Sequence, residues 1–299
     1  MDAAAHDSTP SSTASDRMRR VLELLDSREE VSVTELAGTF AVSEVTVRSD
    51  LAALARQGLV ARVRGGARPL QRGQSELDFE VRLRVQQEAK RAMARTAAGL
   101  VCDGEAVALD SSTSAYYLAL ELRAKKELVV VTNGLLVATA LADAPGVSVI
   151  VLGGLLRFAA MSLVGDFASG VLRNTRIGKG FFGARGISLD RGLMDLNPEE
   201  VRIKREMTEA CERVIGLFDN TKWRRSALLS FAPAQRIDAI VTDEHAPFEL
   251  VQEWREHNVQ VHLGEIVAEL HPPARTPVLR RPILPHADRK EVADTPGSA

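Results

Sequence analysis

The feature that most constrains the fold of this 299-residue chain is an alternation of apolar segments with helical stretches between residues 87 and 268. Eight segments have the length and composition of strands: AVALD, LVVVT, VSVIVL, GFFGA, VIGLFD, ALLSF, DAIVTD and VQVHL. Strands that alternate with helices form a largely parallel sheet, because each helix returns the chain to the same edge. This part of the chain is therefore predicted to be an α/β domain.

Residues 17–72 follow a different pattern, a run of short amphipathic helices that ends in a hairpin. The tripeptide at 41–43 forms a turn between two helices, and Ser43 supplies the N-cap of the helix that follows. The segment LVARVRGGA then alternates apolar residues up to the turn at Gly65-Gly66, which indicates a β-hairpin. Helices followed by such a hairpin predict a winged helix-turn-helix domain.

The helix after this turn has an inward and an outward face. An apolar repeat at i, i+4 and i+7 faces the core: Val47, Leu51 and Leu54. At about 100° per residue, Val45 and Ser49 point outward, and Thr46 and Arg48 flank them. Such a small, polar face suits the major groove of DNA, where Arg48 would reach phosphate or guanine and Val45 a thymine methyl group.

Charge is sorted along the chain, although the net formal charge is only −2. Residues 17–72 contain ten Arg, no Lys and seven acidic residues, so this segment carries +3 and the rest of the chain −5. The stretch 56–72 holds five Arg and no acidic residue, and Arg62 and Arg64 lie in the predicted hairpin. Guanidinium groups bind phosphate bidentately, so the hairpin is predicted to contact DNA; the alternative is a solvated basic loop.

Composition excludes several classes of protein. No run approaches the roughly 20 apolar residues that span a bilayer, and the N-terminus lacks the basic and apolar regions of a secretory signal. The two cysteines, Cys102 and Cys211, are too far apart in sequence to indicate a disulfide framework or a zinc cluster, and they are expected to be buried thiols. We therefore expect a cytoplasmic protein with no membrane contact, no metal site, no catalytic site and no cofactor.

Two folded domains are predicted between two disordered ends. Residues 1–16 are mostly small and polar, and the tail at 269–299 holds six of the twelve prolines of the chain, so neither segment can bury a core. A linker at 73–86 joins the winged helix-turn-helix domain at 17–72 to the α/β domain at 87–268.

Three predicted strands of the α/β domain end in polar or Gly-rich turns. The carboxyl ends of parallel strands line one crevice, and the N-terminus of a helix attracts anions, so together these turns predict a ligand pocket. Taken singly, each turn has an ordinary βα loop as its alternative. The candidate pocket residues are Asp110, Ser111, Ser112, Thr113, Ser114, Thr132, Asn133, Gly153 and Gly154.

Charged residues further along the chain extend the predicted pocket. Glu200 and Lys204 lie one helical turn apart and share a face, Lys222 follows a strand that ends at Asp219, and Arg185 lies near another strand end. These side chains suit a sugar hydroxyl and a phosphate group. The alternative for Glu200 and Lys204 is an exposed i, i+4 ion pair.

Two parts of the sequence resemble the DeoR-type bacterial transcriptional repressors. VSVTELA, VSEVTVRSDL and RVRGGA resemble their N-terminal winged helix-turn-helix domain. DSSTS, VVTNG, VLGG, FFGARGI, EVRIKREM and FDNTKW resemble their C-terminal sensor domain, which shares a fold with ribose-5-phosphate isomerase and CoA-transferases. The resemblance implies that the candidate pocket residues hold a phosphorylated sugar or a related metabolite. Two positions depart from the family: Ser49 stands where an Arg is usual, and Ser112 where a Gly is usual.

The sequence thus predicts a DNA-binding transcription regulator, a repressor of carbohydrate metabolism genes whose affinity for its operator responds to a sugar phosphate or related metabolite. Two winged modules on paired half-sites imply a homo-oligomer, with double-stranded operator DNA and the small molecule as its other partners. The alternative is a sugar-phosphate isomerase or transferase, in which Asp110, Glu200 and Lys204 would perform acid–base chemistry. The predicted helix-turn-helix favours the regulator, because an isomerase has no use for one.

Overall fold

The computed structural model of the protein describes residues 14–28, 30–56, 60–69 and 79–267. The predicted disordered tail at 269–299, most of the predicted disordered N-terminus and residues 73–78 of the predicted linker lie outside the described residues. The first helix begins at Ala14, so it starts inside the segment that was expected to be disordered.

The N-terminal domain is a helix-turn-helix with an antiparallel hairpin. Its elements are α1 (Ala14–Ser27), β1 (Val31–Ser32), α2 (Val33–Phe40), α3 (Glu44–Arg56), β2 (Val60–Val63) and β3 (Gly66–Pro69). Strands β2 and β3 form the hairpin, which we call the wing, and β3 also pairs with β1. The inward residues Val47, Leu51 and Leu54 are all buried in the core of this domain, as the helical repeat predicts.

Local interactions fix the path of the chain in this domain. The Arg17 guanidinium donates to the Asp50 carboxylate at 2.9 Å in a largely buried ion pair, which holds α1 against α3. The wing turns at Gly65, whose φ of 87° favours glycine. At Gly66 an added Cβ would lie 2.2 Å from the Val31 carbonyl oxygen, so this close pairing of β3 with β1 requires glycine.

The second domain is built on a seven-stranded sheet in which every neighbouring pair of strands is parallel. Its helices are α4 (Phe79–Arg84), α5 (Gln87–Ala98), α6 (Thr113–Leu122), α7 (Leu135–Leu141), α8 (Ser169–Leu172), α9 (Pro198–Glu209) and α10 (Phe248–Glu256). The sheet strands are β4 (Ala106–Leu109), β5 (Leu128–Thr132), β6 (Val147–Val151), β9 (Ile177–Phe182), β12 (Cys211–Leu217), β14 (Ala239–Asp243) and β15 (Gln260–Gly264). Their order across the sheet is β15-β14-β12-β9-β4-β5-β6. One apolar cluster packs α4 to α7 on one face of the sheet, and a second packs α8 to α10 on the other. The predicted α/β fold class is therefore confirmed.

Two smaller antiparallel sheets accompany the parallel sheet. A hairpin of β7 (Leu155–Arg157) and β8 (Ser162–Val164) follows β6, and a small sheet is formed by β10 (Gly186–Ser188), β11 (Gly192–Asp195) and β13 (Leu229–Ala232). The segment ALLSF, expected to be a strand of the parallel sheet, instead contributes β13, which pairs antiparallel with β11. The length and apolar composition of a segment do not show whether it joins the parallel sheet or a smaller antiparallel sheet.

The apolar core of the second domain extends closer to the N-terminus than the sequence predicts. Residues 79–84 were assigned to the linker, but they form α4, which buries Phe79 and Leu83 in the cluster shared with α5 and α6. Because these side chains are spaced at i, i+4, they lie on one face of the helix and can pack together. Residues 79–84 therefore pack as part of the second domain.

Within the described ranges, no helix is long and apolar enough to cross a membrane, and no group of three or more His, Cys, Asp or Glu is arranged to hold a metal ion. Cys211 is buried, and burial raises the pKa of its thiol to about 12 against the opposing effect of Arg236, so this thiol stays protonated. Cys102, expected to be buried, is exposed. Cys102 lies in the loop between α5 and β4, where its side chain is exposed.

Candidate DNA-binding and effector-binding sites

The outward face of α3 carries the residues that the helical phase predicts. Val45 is 73% exposed, and Arg48 and Ser49 are also exposed, whereas Thr46 is half-buried. Ser43 caps the helix, because its hydroxyl accepts a hydrogen bond from the Thr46 amide at 3.1 Å. The helix thus presents a compact surface whose side chains can enter a groove without loss of core packing.

Arg48 is the cation of this surface. Its guanidinium donates to the Glu44 carboxylate one turn earlier, with a nitrogen–oxygen distance of 2.6 Å, and both side chains are about half exposed. An exposed i, i+4 pair of this kind contributes only about 0.3–0.5 kcal/mol, so a phosphate or a guanine edge can compete for the guanidinium. Ser49 leaves the neighbouring outward position uncharged.

The wing carries the two other predicted DNA contacts. Arg62 lies on β2 and Arg64 occupies the turn, and both side chains are exposed. Arg68 on β3 is exposed as well. Cations at the end and along the sides of a hairpin suit contacts with the phosphate backbone, which position a protein on DNA without reading its sequence.

In the second domain, a small cavity of about 40 Å³ lies at the carboxyl ends of β4 and β9. It is lined by Arg82, Ser111, Ser112, Gly183, Ala184, Arg185, Asp195, Glu200 and Lys204. Helix α9 contributes Glu200 and Lys204 because Asn197 caps it and Pro198 begins it, which places Glu200 in the first turn and Lys204 in the next. The spacing of one turn points both side chains into the cavity.

Lys204 is the centre of a buried ionic cluster. Its ammonium group donates to Asp195 at 2.7 Å and to the Gly183 carbonyl at 2.9 Å, and it lies 3.0 Å from an Asp110 oxygen. It also lies over the Phe231 ring, 4.9 Å from the centroid. Lys204 is only 4% exposed, so the alternative of an exposed Glu200–Lys204 ion pair is wrong.

Asp110 orders the loop that leads into α6. One of its oxygens accepts from the Ser112 amide at 3.0 Å, and the other accepts from the Gly183 amide at 2.9 Å. The Ser112 hydroxyl in turn caps α6 by accepting from the Ala115 amide. An added Cβ at Gly183 would lie 2.4 Å from the Ser112 Cβ, so Gly183 provides the space that a serine at position 112 needs.

Glu200 forms a second buried cluster beside the first. Its carboxylate accepts from Arg157 at 2.7 Å, from Ser111 at 3.3 Å and, more closely, from Ser162. The Asn133 side-chain Nδ2 approaches it at 3.5 Å, while the side-chain Oδ1 of Asn133 is buried without a hydrogen-bond partner among the described residues. A buried acceptor of this kind is costly unless a donor satisfies it, and a ligand hydroxyl would do so.

These contacts set the charge states of the cluster. Burial alone would raise the pKa of Asp195, but the charges of Lys204 and Arg185 and hydrogen bonds from Lys204 and the Leu196 amide lower it to about 2. Burial alone would lower the pKa of Lys204, but Asp110, Asp195 and Glu200 raise it well above its ordinary value. Both groups are therefore ionised near neutral pH, and neither is suited to proton transfer there.

Several predicted pocket residues do not line this cavity. Thr113 and Ser114 are buried in the first turn of α6, and the Thr132 hydroxyl accepts from the Gly134 amide within its own turn. Gly153 and Gly154 follow β6 at the edge of the sheet. Gly154 has a φ of 146°, and an added Cβ there would lie 2.2 Å from the Val164 carbonyl oxygen, which explains the glycine by packing.

Lys222 is likewise absent from the lining of the cavity. It follows β12 in a short 3₁₀ turn, and its ammonium group lies 4.0 Å from an Asp219 oxygen. Strand β12 is separated from β4 by β9, so Lys222 lies along the same edge of the sheet but beside a different strand end. The position of Lys222 after a strand predicts the edge of the sheet on which it lies, but not which strand ends are its neighbours.

The sequence reasoning missed four groups that the structure brings to these clusters. They are Arg82 of α4, Arg157 and Ser162 of the β7–β8 hairpin, and Asp195 at the end of β11. The two hairpin residues and Asp195 lie on antiparallel additions, to which the rule about the carboxyl ends of parallel strands does not apply. Arg82 was missed because the sequence analysis predicts a linker at this position. The i, i+4 pair Phe79 and Leu83 is the signal that indicates a packed helix instead.

A DNA-binding winged domain joined to a domain with a charged internal cavity defines a ligand-responsive transcription regulator. Two family models match: the DeoR-like helix-turn-helix domain over residues 17–72 and the DeoR C terminal sensor domain over residues 85–244. The chain belongs to the DeoR family of transcription regulators, as the sequence motifs predict. We refer to its second domain as the sensor domain.

Curated relatives agree with this assignment over most of their length. The chain is 35% identical to a protein of Escherichia coli O157:H7 named as an aga operon transcriptional repressor, over 83% of this chain and 93% of that one. It is 32% identical to the HTH-type transcriptional regulator GolR of Listeria innocua, over 84% and 98%. It is 31% identical to the glycerol-3-phosphate regulon repressor of Escherichia coli K12, over 83% and 98%. These matches are to regulators, so the enzyme alternative is not favoured.

Among solved structures, ribose 5 phosphate isomerase A from Neisseria gonorrhoeae aligns with 50% of this chain and 56% of its own, at 15% identity and a TM-score of 0.36. This low TM-score and identity establish neither the fold nor the function of the chain. The fold class rests on the parallel sheet and its covering helices.

Proposed function

We propose that the protein is a repressor of genes for carbohydrate metabolism, whose affinity for its operator changes when a sugar phosphate or related metabolite binds the sensor domain. The observation that supports this best is the pairing of an exposed α3 face with a buried, cation-containing cavity in the same chain. A ligand that binds the cavity shifts the operator affinity only if it prefers one arrangement of the protein over another.

The DNA-binding step is assigned to α3 and the wing. We propose that α3 enters the major groove with Val45, Thr46, Arg48 and Ser49, that Ser43 holds its N-terminus, and that Arg62 and Arg64 contact phosphates. The exposed positions of these side chains, apart from half-buried Thr46, support the proposal. The functional DNA-binding unit is taken as residues 17–72.

The effector is assigned to the cavity around Lys204 and Glu200. Arginine side chains suit the phosphate of a metabolite, while the Ser111 hydroxyl in the cavity and the buried side-chain Oδ1 of Asn133 beside Glu200 suit its hydroxyl groups. The names of the relatives, which refer to the aga operon and the glycerol-3-phosphate regulon, support a carbohydrate-derived ligand. Ionised Asp195 and Lys204 favour binding without chemical conversion.

We further propose a cytoplasmic homo-oligomer with no membrane contact. A single winged module covers one half-site, so specific binding to a paired operator needs two copies. Large exposed apolar side chains on and after the β7–β8 hairpin fit an interface with a second copy, because association would bury them. They are Leu155, Phe158 and Phe167, each 69–77% exposed. Light scattering of the purified chain measures the number of copies directly.

Operator binding of the full-length protein tests the main proposal. The operator would be selected from random double-stranded oligonucleotides, and its affinity measured by fluorescence anisotropy with and without glycerol 3-phosphate, ribose 5-phosphate, glucose 6-phosphate and galactosamine 6-phosphate. We expect sequence-specific binding, and at least one ligand that changes it by about fivefold or more. Selection of no common DNA sequence would refute the regulator, and indifference to every ligand would refute the effector class.

A further inference from the structure

Helix α4 lies between the two regions that the family models match, which end at residue 72 and resume at residue 85. It is only six residues long, yet its side chains reach three different parts of the protein. One face packs into the core of the sensor domain, another contacts the core of the N-terminal domain, and a third reaches the cavity. No role has been assigned to this helix by the family matches.

The sensor domain holds α4 at both ends. The Phe79 amide donates to the Ala159 carbonyl at 2.9 Å, and the Tyr117 hydroxyl donates to the Leu83 carbonyl at 3.3 Å. The buried Lys90 ammonium donates to the Arg82 carbonyl at 2.6 Å and also to the Val85 carbonyl. Carbonyl groups at the end of a helix lack partners within the helix, so Lys90 fixes the end of α4 in place.

The opposite face of α4 contacts the N-terminal domain. Val81 is half-buried and packs against the apolar core that contains the inward residues of α3. Two residues after Phe79, Val81 points about 200° away from it, which is why one short helix can contact both domains. A displacement of α4 therefore alters packing on the N-terminal domain directly.

The third side chain of α4, Arg82, lines the cavity together with Ser111, Ser112, Glu200 and Lys204. Its guanidinium lies over the Phe79 ring, 5.5 Å from the centroid, so the side chain is held along its own helix. Within the cavity, Lys204 already contacts Asp110 and Asp195, and Glu200 already contacts Arg157. Arg82 therefore brings a further cation, carried by α4, to the cavity that Lys204 and Arg185 also line.

We propose that Arg82 binds the anionic group of the effector and that α4 passes the resulting change to the N-terminal domain through Val81. The proposal rests on the proposed function of the cavity and adds its point of anion contact and its route of coupling. A guanidinium presents paired donors that match a phosphate group, and it is the form of cation best suited to bidentate contact.

The coupling needs only a preference of the ligand for one position of α4. The Ala159 carbonyl that receives the Phe79 amide belongs to the turn of the β7–β8 hairpin, and the same hairpin supplies Arg157 and Ser162 to Glu200. Ligand contacts with Glu200 thus act on the hairpin to which Phe79 is attached, and contacts with Arg82 act on α4 itself. A contiguous set of packed and hydrogen-bonded groups of this kind can carry coupling free energy between two sites.

The first experiment compares Arg82→Ala with Arg84→Ala in the full-length protein. Arg84 is exposed on the same helix, so its replacement removes the same charge without touching the cavity. Ligand affinity is measured by thermal shift and calorimetry with inorganic phosphate, ribose 5-phosphate and glycerol 3-phosphate, beside ribose and glycerol, at constant ionic strength. We expect Arg82→Ala to weaken phosphate-ester binding by about tenfold or more, Arg82→Lys to recover part of it, and Arg84→Ala to match the unmodified protein.

The outcomes separate this proposal from the proposed function. If a phosphate ester shifts operator affinity equally in Arg82→Ala and the unmodified protein, the sensor stands and the assignment of Arg82 is overturned. If the unmodified protein responds to ribose or glycerol but to no phosphate compound, sensing stands and the anion site is overturned. If it binds none of the five probes, both the effector class and the anion site are overturned.

A second variant, Val81→Ala, tests the route of coupling. Val81 is only half-buried, so the variant is expected to fold, which circular dichroism checks. We expect its ligand affinity without DNA to stay within about threefold of the unmodified protein, while the ligand-induced change in operator affinity falls by more than half. A full ligand response in this variant would overturn the role of α4 in coupling.

Discussion

The two domains carry their candidate functional residues in opposite environments. In the N-terminal domain, the residues proposed to contact DNA lie outside the core, and Val45 is 73% exposed. In the sensor domain, the corresponding residues are inside, with Glu200 3% and Lys204 4% exposed and each held by several partners. A surface can therefore change its DNA contacts at little cost to folding, whereas the cavity cannot change its charges without a cost in stability.

The largest effect is expected from Lys204→Met. The substitution keeps the length of the side chain but leaves Asp110 and Asp195 as buried carboxylates without their shared cation. Removal of one partner from a buried ion pair costs about 3–5 kcal/mol, so the free energy of unfolding of the sensor domain should fall by that amount. Urea denaturation measures it, and Lys126→Met, at an exposed lysine of the same domain, should stay within about 0.5 kcal/mol. Equal losses in both variants would contradict the contrast between the domains.

Arg48→Ala is expected to act on DNA binding and not on folding. Its guanidinium lies on the exposed face of α3 and is held only by the half-exposed Glu44. Loss of a base contact should weaken binding to the selected operator by about 1–3 kcal/mol, with the free energy of unfolding nearly unchanged. Fluorescence anisotropy on specific and random DNA distinguishes the roles, since a phosphate contact would weaken both equally. Arg28→Ala, an exposed arginine before β1, is the control. Unchanged affinity in Arg48→Ala would mean that α3 does not approach DNA with this face.

The stability of the sensor domain should also depend on pH through Asp195. The pKa of Asp195 is about 2 in the folded protein and near 4 when unfolded, so its stabilising contribution is complete above pH 4 and is lost as the pH falls from 4 to 2. The difference corresponds to about 2 kcal/mol for the sensor domain. In Asp195→Asn, urea denaturation across this range should show a flatter acid dependence. An identical acid dependence in the variant would show that Asp195 is not the responsible group.

The contrast also explains what the sequence could predict. The phase of α3 was predictable because an apolar repeat fixes which face is buried, and Val47 and Leu51 define it unambiguously. The α/β sheet was predictable for a different reason, because apolar strand segments alternate with helical segments along the chain. The cavity and its surroundings were only partly predictable, since Asp195 reaches the cavity, and Arg157 reaches Glu200, from antiparallel additions whose position depends on packing between distant segments. Gly154 resembled a ligand-binding glycine in sequence, but its close approach to Val164 explains it structurally.

A smaller effect is expected at the wing. Arg62→Ala combined with Arg64→Ala removes two exposed cations from the hairpin without disturbing the buried side of the domain. Each lost phosphate contact should lower the slope of log affinity against log salt by about one unit, for specific and random DNA alike. Anisotropy titrations over a range of salt concentrations give the slope. An unchanged slope would exclude the wing from the interface and leave α3 as the sole proposed contact.

The smallest effect is expected from Lys222→Ala, which distinguishes the pocket predicted from the sequence from the cavity in the structure. The sequence groups Lys222 with the effector site because it follows a strand end, but Lys222 lies near Asp219 and does not line the cavity, whereas Arg82 does. Neither side chain belongs to α3 or the wing, so both variants should keep operator affinity without ligand within about threefold. In the presence of ribose 5-phosphate or glycerol 3-phosphate, Lys222→Ala should respond at nearly the same concentration as the unmodified protein, while Arg82→Ala should need about tenfold more. The reverse order would mean that the ligand extends along the sheet edge toward β12, and that the anion is bound by the sequence-predicted lysine.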